Sequence, residues 1–144
     1  MTPELKPPKK CSRVILDSNA LFVPFQFKID IFEELRALLN MKTELILLST
    51  IRQELGKLAE KGSPQMRKEA LYALELAGKC RLIQVSEETG SSPDDIIVAM
   101  AHEWQCPVFT NDKQLRKRLR NINVPVIYVR QKSRLEIDGG CNLV

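Results

Sequence analysis

Short apolar runs recur along the chain, and amphipathic stretches fill the gaps between them. Arg13 to Leu16 (RVIL), Leu45 to Leu48 (LILL), Leu82 to Val85, Pro107 to Thr110 and Val126 to Val129 are continuous rather than alternating. That pattern predicts strands covered on both faces. Ile29 to Leu39 sets Ile31, Phe32, Leu35, Leu38 and Leu39 on one helical face. Thr50 to Lys61 reads as a helix capped by Ser49 or Thr50 and closed by Gly62. Pro64 opens another helix, with Met66, Ala70, Ala73, Leu74 and Ala77 on one side and Gly78 at its end. Ser92-Pro93-Asp94-Asp95 combines a cap, a proline at the first helical position and first-turn acids, so a helix starts there and continues to about Trp104. A basic helix follows from about Lys113 to Asn121. Residues 17 to 27 read as a loop, and the polar stretch after Val129 is left unassigned.

Strands alternating with helices predict an α/β domain with a mostly parallel sheet sandwiched between helices. The expected organisation is a basic arm over residues 1–12, a single domain over 13–135 and a tail over 136–144. No GxGxxG or GxxxxGK[ST] appears, so a glycine-rich nucleotide loop has no support.

The chain has 144 residues, of which 44% are hydrophobic and 28% charged, enough to fill a core without disulfides or a structural metal. Its apolar runs are too short to span a membrane. The segment MTPELKPPKK lacks the apolar stretch of a signal peptide, and the expected location is the cytoplasm. Cys11, Cys80, Cys106 and Cys141 form no CxxC pair and read as free thiols rather than zinc ligands or a disulfide framework. With His102 as the one histidine, a Ser-His-Asp or Cys-His mechanism has little room. The chemistry, if there is any, falls to carboxylates.

The acids are placed suggestively. Asp17 follows the first strand, and Glu54 lies in the opening turns of the helix after the second. Asp94 is in the first turn of the helix after the third strand, and Asp112 stands just past the fourth. All four are expected at the carboxyl edge of one sheet, where open α/β sheets bind ligands. Carboxylates brought together need protons or cations to offset their repulsion. Hard oxygen ligands suit Mg²⁺ or Mn²⁺, which can polarise a phosphoryl oxygen and acidify water for phosphodiester hydrolysis. Immediately after Asp112 come Lys113, Arg116, Lys117, Arg118 and Arg120, a basic helix able to hold a nucleic-acid backbone.

Each residue also has a plain structural reading. Asp112 equally fits a cap for the basic helix, and Glu54 a surface acid near a helix start. Asp95 sits three residues after Ser92, where a capping-box acid belongs, which leaves Asp94 to point elsewhere. A basic helix alone is more often a solvated face. An Asp17 set between VIL and SNALF is costly without a partner, which favours function. Phe22, Phe25 and Phe27 read as core in preference to an RNA groove or a dimer contact. His102 and Trp104 read as packing or surface positions, and Lys6, Lys9 and Lys10 as a solvated tail or an RNA contact.

The segments VILDSNALF (14–22), STIRQELGKL (49–58), DDIIVAMA (94–101) and FTNDKQL (109–115), in that order and spacing, resemble the PIN-domain nucleases. The resemblance implies a three-layer α/β/α fold around a parallel sheet of about five strands, an acidic Mg²⁺ or Mn²⁺ site, and single-strand-directed ribonuclease activity. Asp17 and Glu54 match the family's first two acids. Asp94 matches the third, because Ile97, Val98, Ala99 and Ala101 then fall on the family's small apolar positions. Thr110 and Asp112 match the fourth motif, and Asn19 and Thr110 become orienting residues behind the acids. TNDKQLRKRLR followed by VPVIYVR looks like the branch of eukaryotic small-subunit rRNA-processing PIN proteins and their archaeal relatives; VapC-type toxins share the core. The expected function is a metal-dependent endoribonuclease cutting structured or ribosomal precursor RNA. The alternatives are a toxin held by an antitoxin and a non-catalytic RNA-binding ribosome-assembly protein.

Overall fold

A computed structural model describes residues 13–86 and 91–139. Thirteen elements follow one another: β1 (Arg13–Leu16), a 3₁₀ helix (Ser18–Phe22), α1 (Val23–Phe27), α2 (Ile31–Leu39), β2 (Glu44–Leu48), α3 (Ser49–Lys61), α4 (Pro64–Ala77), β3 (Arg81–Ile83), α5 (Pro93–Trp104), β4 (Val108–Phe109), α6 (Lys113–Asn121), β5 (Val126–Arg130) and β6 (Arg134–Asp138).

The sheet has the order β3-β2-β1-β4-β5-β6. The first five strands run parallel, and β6 returns antiparallel along β5. Val14, Ile15 and Leu16 are all fully buried although successive strand residues face opposite sides. Both faces of the sheet are therefore covered, as the continuous apolar runs predict. Chain order leaves β1 towards β2 on one side, then crosses to β4 on the other. The carboxyl ends of β1 and β4 thus flank the point where strand order reverses, the usual crevice for ligands in such sheets.

Four local expectations change in the structure. Residues 18–27 are not open loop: a 3₁₀ helix bury Ala20, Leu21 and Phe22 before α1 begins. Helix α3 starts at Ser49, after an uncapped Leu48, so neither Ser49 nor Thr50 caps it. The Ser49 hydroxyl instead accepts a hydrogen bond from Val85 N–H at 3.0 Å, and the buried Thr50 Oγ1 has no partner among the described residues. Strand β3 is shorter than its apolar run, because it lies at the sheet edge with Leu82 46% exposed. Finally, the sheet has six strands rather than about five. Only one face of β6 is buried, so it carries Leu135 among charged residues instead of an apolar run. This strand crosses position 135, beyond which a tail was expected. The basic arm over 1–12 and positions 140–144 lie outside the described residues.

Caps fix the helices that matter for the site. The Ser92 hydroxyl accepts from Asp95 N–H, and Asp95 Oδ2 accepts from Ser92 N–H, both at 3.1 Å. Ser92→Ala removes one half of that box and should cost about 1 kcal/mol of stability, read from urea denaturation. No helix among the described residues is long and apolar enough to cross a membrane.

Candidate active site

Asp17 directly follows β1 in extended conformation as the N-cap of the 3₁₀ helix, and its backbone N–H donates to Phe109 C=O at 3.0 Å, which ties it to the end of β4. Its carboxylate is 5% exposed and takes three donors. Ser18 N–H reaches Oδ1 at 2.8 Å. Oδ2 accepts the Thr110 hydroxyl at 2.7 Å and the Asn19 amide at 3.2 Å. Thr110, fully buried, is committed in turn: its Oγ1 accepts from Asp112 N–H at 3.1 Å and from the Asn19 amide at 3.5 Å. One donor and two lone pairs exhaust what a hydroxyl offers. The Asp17 carboxylate therefore has one orientation, set by groups from two strand ends.

The hydrogen bonds extend further. Asn19 Oδ1 accepts from Asn111 N–H at 3.0 Å, and Asn111 Oδ1 accepts from Val129 N–H at 2.9 Å. Sequence reasoning missed Asn111; its only signal is its place between Thr110 and Asp112. Deleting the Thr110 hydroxyl in Thr110→Val should lower activity or metal affinity by about 10–100-fold, as losses of such supporting contacts typically do. A metal-titrated cleavage assay reads it.

Charge repulsion couples these acids to one another. Burial pushes the Asp17 carboxyl up from its ordinary value, and Asp112 adds repulsion against the hydrogen bonds that favour the anion. Glu54, half-buried on α3, is raised by burial and then by Asp17 and Asp94. Asp94, in the first turn of α5, is raised by burial and then by Asp17 and Asp112. Asp17, Glu54 and Asp94 thus each feel other acids of the set. Asp112 also caps α6, its Oδ1 accepting from Gln114 N–H at 2.9 Å and Leu115 N–H at 3.2 Å.

Asp95 behaves differently. The Ser92 backbone and Arg118 hold its carboxyl below the ordinary value, and its Oδ1 pairs with Arg118 at 3.0 Å. Asp95→Asn should therefore leave cleavage near the wild-type rate, in contrast to Asp94→Asn, in parallel initial-rate assays.

The donor set suits a hard divalent cation: oxygen ligands only, with mutual repulsion that a cation would relieve. Among the described residues, no three acidic, histidine or cysteine groups stand close enough to hold one ion in the arrangement shown. The molecule supplies the charge and donor chemistry, with Asp17 held by three donors and Asp112 by two backbone N–H groups.

The basic helix does not present all five predicted cations to one side. Arg118 is paired with Asp95. Arg116 and Arg120 both meet Asp138, at 3.3 and 3.6 Å. Arg116 also lies 3.8 Å from the centre of the Tyr128 ring. Lys113 and Lys117 are exposed. His102 is exposed on α5. Phe22 is buried and Phe27 packs against the core, as expected, with Phe27 also lining a groove; Phe25 instead faces the Tyr72 ring at 5.8 Å.

Comparison with known proteins agrees with this fold. A family model described as PIN like domain matches residues 14–132. Ribonuclease VapC4 of Methanocaldococcus jannaschii is 34% identical over 128 residues, covering 88% of this chain and 97% of that protein. Ribonuclease VapC9 of Archaeoglobus fulgidus is 24% identical over 124 residues, covering 86% and 87%. The rRNA-processing protein fcf1 of Schizosaccharomyces pombe is 33% identical over 119 residues, 81% of this chain but 58% of that longer protein. The solved structure of the PIN domain endonuclease Utp24 superposes with a TM-score of 0.74 at 30% identity, covering 92% of this chain and 95% of that one. With its switch-point acids and a match along most of its length, the chain belongs to the PIN-domain nuclease family.

Proposed function

We propose that this protein is a divalent-metal-dependent endoribonuclease that hydrolyses phosphodiester bonds in structured or ribosomal precursor RNA. The observation that carries the reading is the fixed Asp17 carboxylate at the strand-order reversal, with Glu54, Asp94 and Asp112 in its field. Relatives named as ribonucleases and as an rRNA-processing protein support the choice of RNA.

Asp17, Glu54, Asp94 and Asp112 would hold Mg²⁺ or Mn²⁺. A bound divalent cation supplies charge neutralisation at the phosphoryl oxygens and acidifies water. The chain's own work is positioning. Thr110 and Asn19 keep Asp17 from rotating, so the site loses little reorganisation energy when substrate arrives. Half-burial of Glu54 and Asp94 limits the water that competes for their charge. Lys113, one residue after Asp112, places a cation beside the acids to meet the RNA backbone.

The test is cleavage of a panel of labelled RNAs under a Mn²⁺ titration, with EDTA as the zero point. Activity that appears with Mn²⁺ and vanishes in EDTA supports the reading; salt-sensitive RNA binding without cleavage at any Mn²⁺ or Mg²⁺ concentration replaces it with a non-catalytic assembly role. A second reading, a toxin ribonuclease controlled by an antitoxin, draws on the near full-length match to VapC4. Growth arrest on expression, relieved by a small partner encoded nearby, separates it from RNA processing.

A further inference from the structure

Beside the acidic site lies a groove of about 590 Å³ whose walls come from the end of α1, the start of α6 and the β5–β6 hairpin. Thr110 and Asn111 belong to its lining. It is therefore joined to Asp17 through the Thr110 hydroxyl, and to Asn19 through Asn111, which also fastens Val129 in the groove floor.

The lining has a consistent chemistry. Lys113, Arg116, Arg130 and Lys132 contribute cations, and no carboxylate lines it among the described residues. Asp138 and Glu136 hold Arg116 and Arg130 from outside the groove, at 3.3 and 3.2 Å. Lys113 and Lys132 are in no ion pair among the described residues and remain available to a ligand. Two aromatic side chains, Phe27 and Tyr128, reach the same space from different elements. Both are part-exposed, and Arg116, itself in the lining, lies over one face of the Tyr128 ring at 3.8 Å.

The hairpin tip is shaped against its sequence. Gln131 and Lys132 both have positive φ, 54° and 57°, in a turn closed by Ser133 N–H donating to Arg130 C=O at 3.1 Å. Such turns favour Asn-Gly. Strain of this kind clusters at functional positions; here it holds the Lys132 side chain at the groove.

We propose that this groove is a nucleotide subsite that holds one flank of a single-stranded RNA, with bases against Phe27 and Tyr128 and phosphates on Lys113 and Lys132. Interleaved rings and cations suit single strands, whose bases stack while the backbone is neutralised. An acidic peptide would satisfy the lysines but leave the rings without planar partners. The proposal rests on the nuclease reading for its orientation, since two lining residues, Thr110 and Asn111, are hydrogen-bonded to Asp17 and Asn19.

The experiment measures binding apart from cleavage. A fluorescein-labelled uridine 12-mer is titrated in EDTA by anisotropy against the full chain, Phe27→Leu, Lys132→Ala and, as a distant control, Lys68→Ala. Phe27→Leu should weaken binding about five-fold or more, within the range of lost base stacking. Lys132→Ala should flatten the salt dependence by about 0.7 in log–log slope. Lys68→Ala, on α4, should bind as wild type. The double change Gln131→Asn with Lys132→Gly supplies the preferred turn residues, so it should fold at least as well and still bind weakly. Groove variants that bind as wild type overturn the proposal, as does an abasic 12-mer that binds as tightly as the base-bearing one, or polyglutamate that displaces it more effectively than RNA. If wild type cleaves through Asp17 while the groove variants change nothing, the subsite fails and the nuclease reading stands. If binding follows the groove but no RNA is cut, the nuclease reading fails and the subsite stands.

Discussion

Asp17→Asn is expected to reduce Mn²⁺-dependent RNA cleavage by more than about 100-fold, because even supporting contacts to such carboxylates typically contribute 10–100-fold. The substitution keeps the side chain's shape but removes its charge and turns one oxygen into an N–H donor. That donor then faces Ser18 N–H on one side, or the Thr110 hydroxyl and the Asn19 amide on the other. The fixed anion disappears, while the β1–β4 tie through the Asp17 backbone remains. Far-ultraviolet circular dichroism should accordingly match wild type. Cleavage at the wild-type rate by the folded variant would remove Asp17 from the mechanism.

A second large effect concerns stability. In EDTA at neutral pH, Asp94→Asn should melt above wild type, because it removes a charge that burial disfavours and that Asp17 and Asp112 repel. A gain near 1 kcal/mol, common when a functional site's strain is relieved, corresponds to about 4 °C in a domain of this size. The pH dependence has a definite sign. Asp17, Glu54 and Asp94 are all raised in the folded state, so their favourable contribution is complete below the ordinary carboxylate value. It is lost as pH rises through the raised values. Wild type in EDTA should therefore lose stability over that interval more steeply than Asp94→Asn. Adding Mn²⁺ should reverse the ranking, since a ligand at 100 times its Kd adds about 2.7 kcal/mol to the form that binds it. Differential scanning calorimetry across pH, with and without Mn²⁺, measures all of this; a wild type indifferent to both contradicts it.

Much of this arrangement was legible in the residues because the strongest signals are local. Continuous apolar runs marked β1, β2, β4 and β5, since only a doubly covered strand needs such a run. Ser92-Pro93-Asp94-Asp95 separated the capping acid from its neighbour because box geometry depends on spacing alone. What stayed hidden depends on distant partners. Strand β6 is half-covered and pairs its charges with Arg130, so its pattern resembles a loop. Asn111 acts through bonds to Asn19 and Val129, which sequence proximity does not announce. The basic helix reads as one cationic surface until Asp95 and Asp138 are seen to draw off Arg118, Arg116 and Arg120. Phe27 packs against the core as read, but its second role, lining a groove, appears only once the hairpin is placed beside it.

The proposed function depends on acids distant in sequence sharing a divalent-cation site at the carboxyl edge of the sheet. Isothermal titration of Mn²⁺ into wild type, Asp17→Asn, Asp94→Asn and Asp95→Asn tests it without RNA. The account predicts saturable binding by wild type and Asp95→Asn, and at least about ten-fold weaker binding by the other two. Equal affinity in all four proteins, or no saturable binding by wild type, contradicts it.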